Sequence, residues 1–505
     1  MSSFLRSRFS RFTFLWVWVG SLLRLWQISH APFWYDEIFT SWLGQLPLPQ
    51  LIEATRGDVH PPLWYLIAWG VERFSHAEWA LRLPAALFSI GGLILFVHLA
   101  RQMKFSESAT LVGLAIMAMS PFQLFFAQEA RMYALLQFSI MLGLLAMLQR
   151  RWWLLGICSV VMIYTHNYGL VYAALLYLMA FLREWGQPVL LNLEFKDLAS
   201  LGWKDISDQA NFKSIFISGA LALVCYLPWA LSMLGQFKSM DTWWQQSTTF
   251  GGFLDPLNVF LWGGAMVGLL QTLGQLVAFI LLIFALWRAV QLRSKAALAL
   301  AAGALAPMLF SWATELVTHP TYLYRSFIGS SPALYLLIGW ALTERVDILK
   351  RRIVLGALAP LAAVAVICFY PTSWLKSGLA EDSVSVIQAS LQPGDIVYHM
   401  NSGSLVGFWY AYPNDPEMWR YIEPHITGDV GTLSAQTLSA FGTQQVNIDD
   451  LPWKRAWLVW SAGPTMGIAE DQLVKKIVSD HAGGEIAAFH VFKSQYTGGI
   501  WLLKR

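Results

Sequence analysis

Charge is what this 505-residue chain has least of: Asp, Glu, Lys and Arg make up 13% of it. A soluble domain carries about a quarter. Hydrophobic residues reach 56% and the mean hydropathy is +0.49, so a purely aqueous fold is excluded. The net charge of +3 supplies no basic face for a nucleic acid. Cysteine is scarce as well. Cys158, Cys225 and Cys368 all lie in apolar stretches, which excludes a disulfide framework and a thiolate-held metal and leaves three small apolar fillers. No cleavable leader is apparent either. Arg6, Arg8 and Arg11 precede an apolar run from 12 to about 28 with no small-residue cleavage site, so this start reads as a first span behind a basic tail.

What the chain does have is long apolar runs and tryptophan, 26 residues of it, as suits membrane interfaces. A helix needs about 20 apolar residues to cross a bilayer. Eleven stretches qualify: 12–29, 83–101, 107–126, 133–149, 152–166, 168–183, 214–234, 272–290, 296–314, 326–343 and 353–371. Residues 60–80, interrupted by Glu72, Arg73 and Glu78, and the short Gly-rich 253–268 read instead as helices lying in the interface. With the N-terminus in the cytoplasm, the cytoplasmic turns collect Arg101/Lys104, Arg150/Arg151, Arg183 to Lys213, Arg288/Arg293/Lys295 and Arg345/Lys350/Arg351/Arg352, as the positive-inside rule requires. An odd number of spans then puts the tail outside.

That tail alternates differently. A helix over Glu381–Leu391, strands at Ile396–His399 and Ala456–Trp460, a helix over Ala469–His481 and strands near Ala487–Phe492 and Gly499–Leu503 predict a small α/β domain. The fold class expected is therefore a polytopic α-helical membrane protein, a membrane domain over 1–371, with a small C-terminal α/β extracytoplasmic domain over 372–505. The tail has no G-x-G-x-x-G, Walker or catalytic-triad signature, and it reads as a cap or an acceptor-guiding domain.

Charges that break the topological rule mark the candidate site. The first outer loop, about 30–82, holds Trp34-Tyr35-Asp36-Glu37 and then Asp58-Val59-His60-Pro61-Pro62-Leu63-Trp64-Tyr65. Asp36 and Glu37 suit a helix N-terminus, which favours carboxylates by roughly 0.3–1 kcal/mol; they fit a cap with aromatic anchors as well as a site. Neighbouring helical residues point about 100° apart, so one would be a base and the other an orienting group. Proline in a first helical turn would place Asp58 and His60 just ahead of a helix, in a solvated turn or in the site. Arg131, Arg325 and Arg82 stand at outer ends of spans, where a guanidinium either snorkels or grips phosphate oxygens. Tyr133 and Tyr324 flank the first two and join them as candidate phosphate ligands. His166, in Thr165-His166-Asn167-Tyr168, is a further polar group. No zinc spacing is present; a divalent cation on the carboxylates stays open.

A sugar carried on a lipid phosphate suits these parts, because its leaving group is already a stable anion. Such a transfer needs a carboxylate to take the acceptor hydroxyl's proton and positive charge where the phosphate departs. Asp36, assisted by Glu37 or Asp58, fits the first need; Arg131 and Arg325 fit the second. A transporter or flippase for the same lipid, a glycan ligase and a non-catalytic scaffold are the alternatives. A transporter would favour repeated halves with matching broken helices, which the sequence lacks.

The order Asp36-Glu37, His60-Pro61-Pro62-Leu63-Trp64-Tyr65, Arg82-Leu83-Pro84 and Ala130-Arg131-Met132-Tyr133-Ala134-Leu135 resembles the GT-C membrane glycosyltransferases. Within them it is most similar to the group of dolichyl-phosphate-mannose-protein mannosyltransferases, RgtA/B/C/D-type lipid A sugar transferases and aminoarabinose transferases. The resemblance covers roughly 12–371 and is strongest over the first 140 residues. It implies a polyprenyl-phosphate sugar donor, an acceptor hydroxyl on the extracytoplasmic face and Asp36 as the catalytic base. The group often carries Arg-Tyr near the start of a late span, whereas this chain has Tyr324-Arg325 in the reverse order.

Overall fold

The computed structural model describes residues 7–31, 33–192, 210–239, 251–264, 266, 268–315, 322–373, 386–424, 435–462, 479, 489–493 and 497–504. Helices dominate. We number them α1 (Arg8–Leu25), α2 (Tyr35–Gln45), α3 (Leu48–Arg56), α4 (Leu63–Glu72), α5 (Glu78–Gln102), α6 (Glu107–Met119), α7 (Pro121–Ala127), α8 (Tyr133–Leu148), α9 (Trp152–Thr165) and α10 (Tyr168–Asn192). Then follow α11 (Ala210–Ser239), α12 (Asp255–Trp262), α13 (Gly268–Gln291), α14 (Lys295–Glu315), α15 (Ser331–Thr343) and α16 (Ile348–Ser373), with a 3₁₀ turn over Tyr324–Ser330 leading into α15.

Each of the eleven apolar stretches falls on helical structure. Six helices are long and apolar enough to cross a membrane, and a seventh joins them if α6 and α7 count as one span bent by 56°. The chain is a multi-pass membrane protein. The outward sides of α11, α13 and α16 expose Phe216, Leu231, Leu269 and Ile367, which only a lipid surround makes favourable. Inside, α15 is buried at every position but Ala333. It packs closely on α6, where a Cβ on Gly339 would come within 2.5 Å of the Ala109 carbonyl oxygen, a small-residue contact of the membrane type. The two stretches read as interfacial are α4, of 10 residues, and α12, of 8. At 1.5 Å per residue neither spans the roughly 30 Å hydrocarbon layer.

The break between α6 and α7 has a local cause. Pro121 brings no N–H, and Ser120 turns the chain while capping Gln123 N. The carbonyls of Met117 and Ala118 are then free to accept from the fully buried Arg24, at 3.0 and 3.1 Å. Its Nε donates to Ser89 Oγ at 2.8 Å. A buried cation thus stands in for the missing helical donors.

At the opposite end of the bundle, basic residues do something unusual. Lys104, Arg150, Arg293 and Arg345 end α5, α8, α13 and α15 with φ of 62°, 57°, 48° and 46°, the left-handed position where glycine is the usual occupant. At the first three, paired bonds close the turn, as in Phe105 N to Ala100 O and Lys104 N to Arg101 O. A side chain there costs about 1–2 kcal/mol. Lys104→Gly and Arg293→Gly, at two exposed sites, should each stabilise the folded protein by about 0.5–1 kcal/mol once glycine's own entropy is set against the relief. Thermal unfolding in detergent checks this; no gain would show that these turns are unstrained.

In the tail, β1 (Ile396–His399), β2 (Tyr421–Ile422), β3 (Gln444–Gln445), β4 (Arg455–Ala462), β5 (Phe489–Lys493) and β6 (Thr497–Lys504) form one sheet ordered β3-β2-β1-β4-β6-β5. The first four are parallel; β6 pairs antiparallel with both β4 and β5. Helices α17 (Ser402–Ala411) and α18 (Ala435–Phe441) serve the β1–β2 and β2–β3 crossovers. All four expected strands are present, and residues 386–390 of the expected Glu381–Leu391 helix are helical. The rest of its N-terminal part and the helix expected over Ala469–His481, apart from residue 479, lie outside the described residues. The sheet domain rests on the first loop: Phe441 of α18 stacks on Trp42 at 3.8 Å and 8°, and Tyr410 of α17 donates to Glu78 Oε1 at 3.1 Å.

Candidate functional site

Asp36 and Glu37 occupy the first turn of α2, whose N–H groups Glu37 N and Ile38 N bond the Trp34 carbonyl at 2.9 Å. As the helical period demands, their side chains part. Glu37 points inward and is fully buried. Arg82 of α5 grips it with both prongs, Nε at 2.7 Å and Nη2 at 2.8 Å, and Ala130 N adds a third bond at 2.8 Å. Arg82 Nη1 reaches on to the Ile28 and Ala31 carbonyls at 2.9 and 2.6 Å. Trp64 Nε1 takes the Ala130 carbonyl at 2.8 Å. Both peptide groups of Ala130 are therefore tethered, and with them the position of Arg131.

Asp36 points the other way, into a cluster of charge. Its Oδ2 lies 3.4 Å from Arg325 Nη1 and 3.7 Å from Arg131 Nε. Side-chain exposure separates the acidic neighbours: 17% for Asp36 and none for Glu37. Of the two, only the Asp36 side chain is open to the surroundings. Arg325 is similarly open at 19%, while Arg131 is sunk to 4%. Arg131 Nη1 donates to the Tyr65 hydroxyl at 3.2 Å, to Thr40 Oγ1 at 3.4 Å and to the Asp36 carbonyl at 3.5 Å. The Tyr65 hydroxyl in turn donates to Asp58 Oδ2 at 2.7 Å. Burial raises the Asp58 carboxyl above its usual range, with Arg131 and the Tyr65 bond pulling it partly back.

Beyond the arginines stands an uncharged group. The rings of His60 and His166 lie 5.1 Å apart, His166 and Tyr133 are 5.8 Å apart, and Arg325 Cζ lies 6.0 Å from the Tyr133 ring. Asn167 Nδ2 ties the two loops by donating to the Val59 carbonyl at 2.9 Å. Burial, and then the nearby Arg131 guanidinium, push the His60 imidazole well below its usual range, so it is neutral at physiological pH.

The structure therefore gathers Asp36, Asp58, His60, Arg131, Tyr133, His166 and Arg325 in one place from five separate parts of the chain. Tyr324 is 44% exposed and packs edge-on against Phe122 at 6.4 Å. Glu37, expected as a catalytic group, and Arg82, expected as a substrate ligand, form an ion pair with each other, and both side chains are buried. Two residues were overlooked. Tyr65 closes the motif that begins at His60, and Thr40 sits four residues after Asp36, which on a helix means the same face. Among the described residues no group of three or more His, Cys, Asp or Glu side chains is arranged to hold a metal ion.

No family model matches the sequence. Comparison with curated proteins likewise gives no match. Solved structures do match. The crystal structure of ArnT from Cupriavidus metallidurans bound to undecaprenyl phosphate covers 97% of both chains with a TM-score of 0.57 at 15% identity. The apo state of the same protein covers 98% of both with a TM-score of 0.57 at 16% identity. At such identity the likeness is one of fold, and the fold is the GT-C fold that the motif order implies.

Proposed function

We propose that this protein is a membrane glycosyltransferase that moves a sugar from a polyprenyl-phosphate donor to an acceptor hydroxyl on the extracytoplasmic face. The observation that carries the reading is the Asp36 carboxylate, open to the site and flanked by Arg325 at 3.4 Å and Arg131 at 3.7 Å. One acidic group able to accept a proton and two cations beside it are the parts this transfer requires. Support also comes from the shared fold with ArnT, which was seen with undecaprenyl phosphate bound.

The acceptor oxygen attacks the anomeric carbon as its proton passes to an Asp36 oxygen. The bond from that carbon to the phosphate oxygen breaks, and its electron pair leaves with the lipid phosphate. The leaving phosphate gains one negative charge, which Arg131 and Arg325 stabilise in place. Attack from the face opposite the phosphate inverts the anomeric centre. In this reading the protein sits in the plasma membrane with its N-terminus and the basic turns at Lys104, Arg150, Arg293 and Arg345 on the cytoplasmic side. Residues 1–371 form the transferase domain, and 372–505 form an extracytoplasmic domain leaning on the first loop.

Binding of undecaprenyl phosphate tests the donor side. A hydrogen bond to a charged group contributes about 1.5–3 kcal/mol, so Arg131→Gln and Arg325→Gln should each weaken binding by about ten-fold or more, read by calorimetry in nanodiscs. Unchanged affinity in both variants would return the arginines to a structural role and remove the donor assignment.

A further inference from the structure

The uncharged group beside the arginines is over-supplied with buried polarity. His60 is 9% exposed, His166 5% and Tyr133 not at all. Yet among the described residues His60 Nδ1, the Tyr133 hydroxyl and Asn167 Oδ1 have no hydrogen-bond partner. His166 spends Nδ1 on the Tyr168 backbone N–H, accepted at 3.1 Å. Its proton therefore sits on Nε2, which makes no bond to another described residue. Buried polar groups are ordinarily paired, so several unpaired ones converging beside a charged cluster point to a ligand.

The chemistry of these groups says what kind. Phosphate oxygens only accept hydrogen bonds, and a phosphate is best met by donors and cations. A neutral imidazole is half unsuitable for that task, because one of its nitrogens is an acceptor. A sugar hydroxyl donates and accepts, and it matches a wall that does both. Burial, and then the nearby guanidiniums, keep His60 neutral and preserve its acceptor nitrogen.

We infer that His60, His166 and Tyr133 form the sugar-binding wall of the donor site, reading the hydroxyl pattern of the transferred sugar while Arg131 and Arg325 hold its phosphate. This rests on the lipid-phosphate-sugar reading above and adds the division of labour within it. Asn167 acts through the wall: its bond to the Val59 carbonyl fixes the separation of the two histidines, which makes it a positioning residue. A wall of this kind discriminates strongly, since a sugar lacking one of the read hydroxyls leaves a buried group unpaired.

The test uses the full chain in nanodiscs with two kinds of probe: bare undecaprenyl phosphate, and a panel of undecaprenyl-phosphate hexoses, pentoses and amino sugars. Wild type is expected to bind one sugar class at least about ten-fold more tightly than the bare lipid. His60→Leu and His166→Leu should remove that excess and leave bare-lipid affinity within about two-fold. His60→Gln, which keeps one donor and one acceptor without charge, should retain part of it, and this guards against misfolding of the leucine variants. Equal wild-type affinity for bare and glycosylated lipids would overturn the inference alone. So would leucine variants that weaken the bare lipid as much as the sugar lipid. Wild type binding neither probe would overturn the donor reading itself.

Discussion

Asp36→Asn is expected to lower sugar transfer by about 10²–10⁴-fold, the range that a positioned general base contributes. The substitution keeps the shape of the side chain and removes one proton-accepting charge. It should not harm donor binding, and the surroundings argue for the reverse. Asp36 Oδ2 sits within 3.4 Å of Arg325 and 3.7 Å of Arg131, so the carboxylate competes with a phosphate for the same cations. Neutralising it frees both guanidiniums for the lipid and should tighten binding of undecaprenyl phosphate. Loss of transfer with equal or tighter donor binding is a signature that a folding defect cannot produce. It is measured in proteoliposomes holding a polyprenyl-phosphate sugar and an envelope fraction as acceptor source. Transfer close to wild type would sink the assignment of Asp36 as base. The same proteoliposomes, without acceptor, separate the transferase from a flippase, because only a flippase moves the lipid-linked sugar across the bilayer under those conditions.

Much of this site was legible in the sequence, for a physical reason. In a chain with so little charge, every ionisable residue at a membrane face needs a partner or a task, and Asp36, Arg131 and Arg325 stand out on that ground alone. The same logic could not say which task each has. Arg82 looked like Arg131 in the sequence, since both stand at expected outer ends of spans. Only the fold shows that Arg82 meets Glu37 across 45 residues, and that Arg131 meets Asp36 across 95. The divergence of Asp36 and Glu37 was foreseeable from the helical period, but which of them faces the opening was not. Tyr65 was hidden because an aromatic residue at a membrane interface is ordinary; its hydroxyl matters only because Asp58 and Arg131 lie on either side of it. The strands of the tail were readable from their apolar runs and turns, whereas the stacking of Phe441 on Trp42 depends on a tertiary contact that no local pattern encodes.

Arg82→Met should be the most destabilising single change in the site, and its partner variant shows why. Removing the guanidinium takes both of its hydrogen bonds from the buried Glu37 carboxylate, and breaking a buried pair on one side costs about 3–5 kcal/mol. The Ile28 and Ala31 carbonyls lose their donor at the same time. Denaturant or thermal unfolding in detergent measures the loss. The double variant Arg82→Met/Glu37→Leu removes both charges, and apolar replacement of a whole buried pair is often close to neutral, so it should recover most of the stability. It should not recover transfer. Ala130 N would lack the acceptor that fixes the turn, and Arg131 would no longer be held against Asp36 and Tyr65. A stable but inactive double variant would identify the Glu37–Arg82 pair as the scaffold of the phosphate site. If the double variant is as active as wild type, Arg131 is positioned by other contacts, and the three-way bond of Glu37 serves stability alone. If instead the single variant is stable but inactive, Arg82 itself contacts substrate, and its pairing with Glu37 is not what the site requires of it.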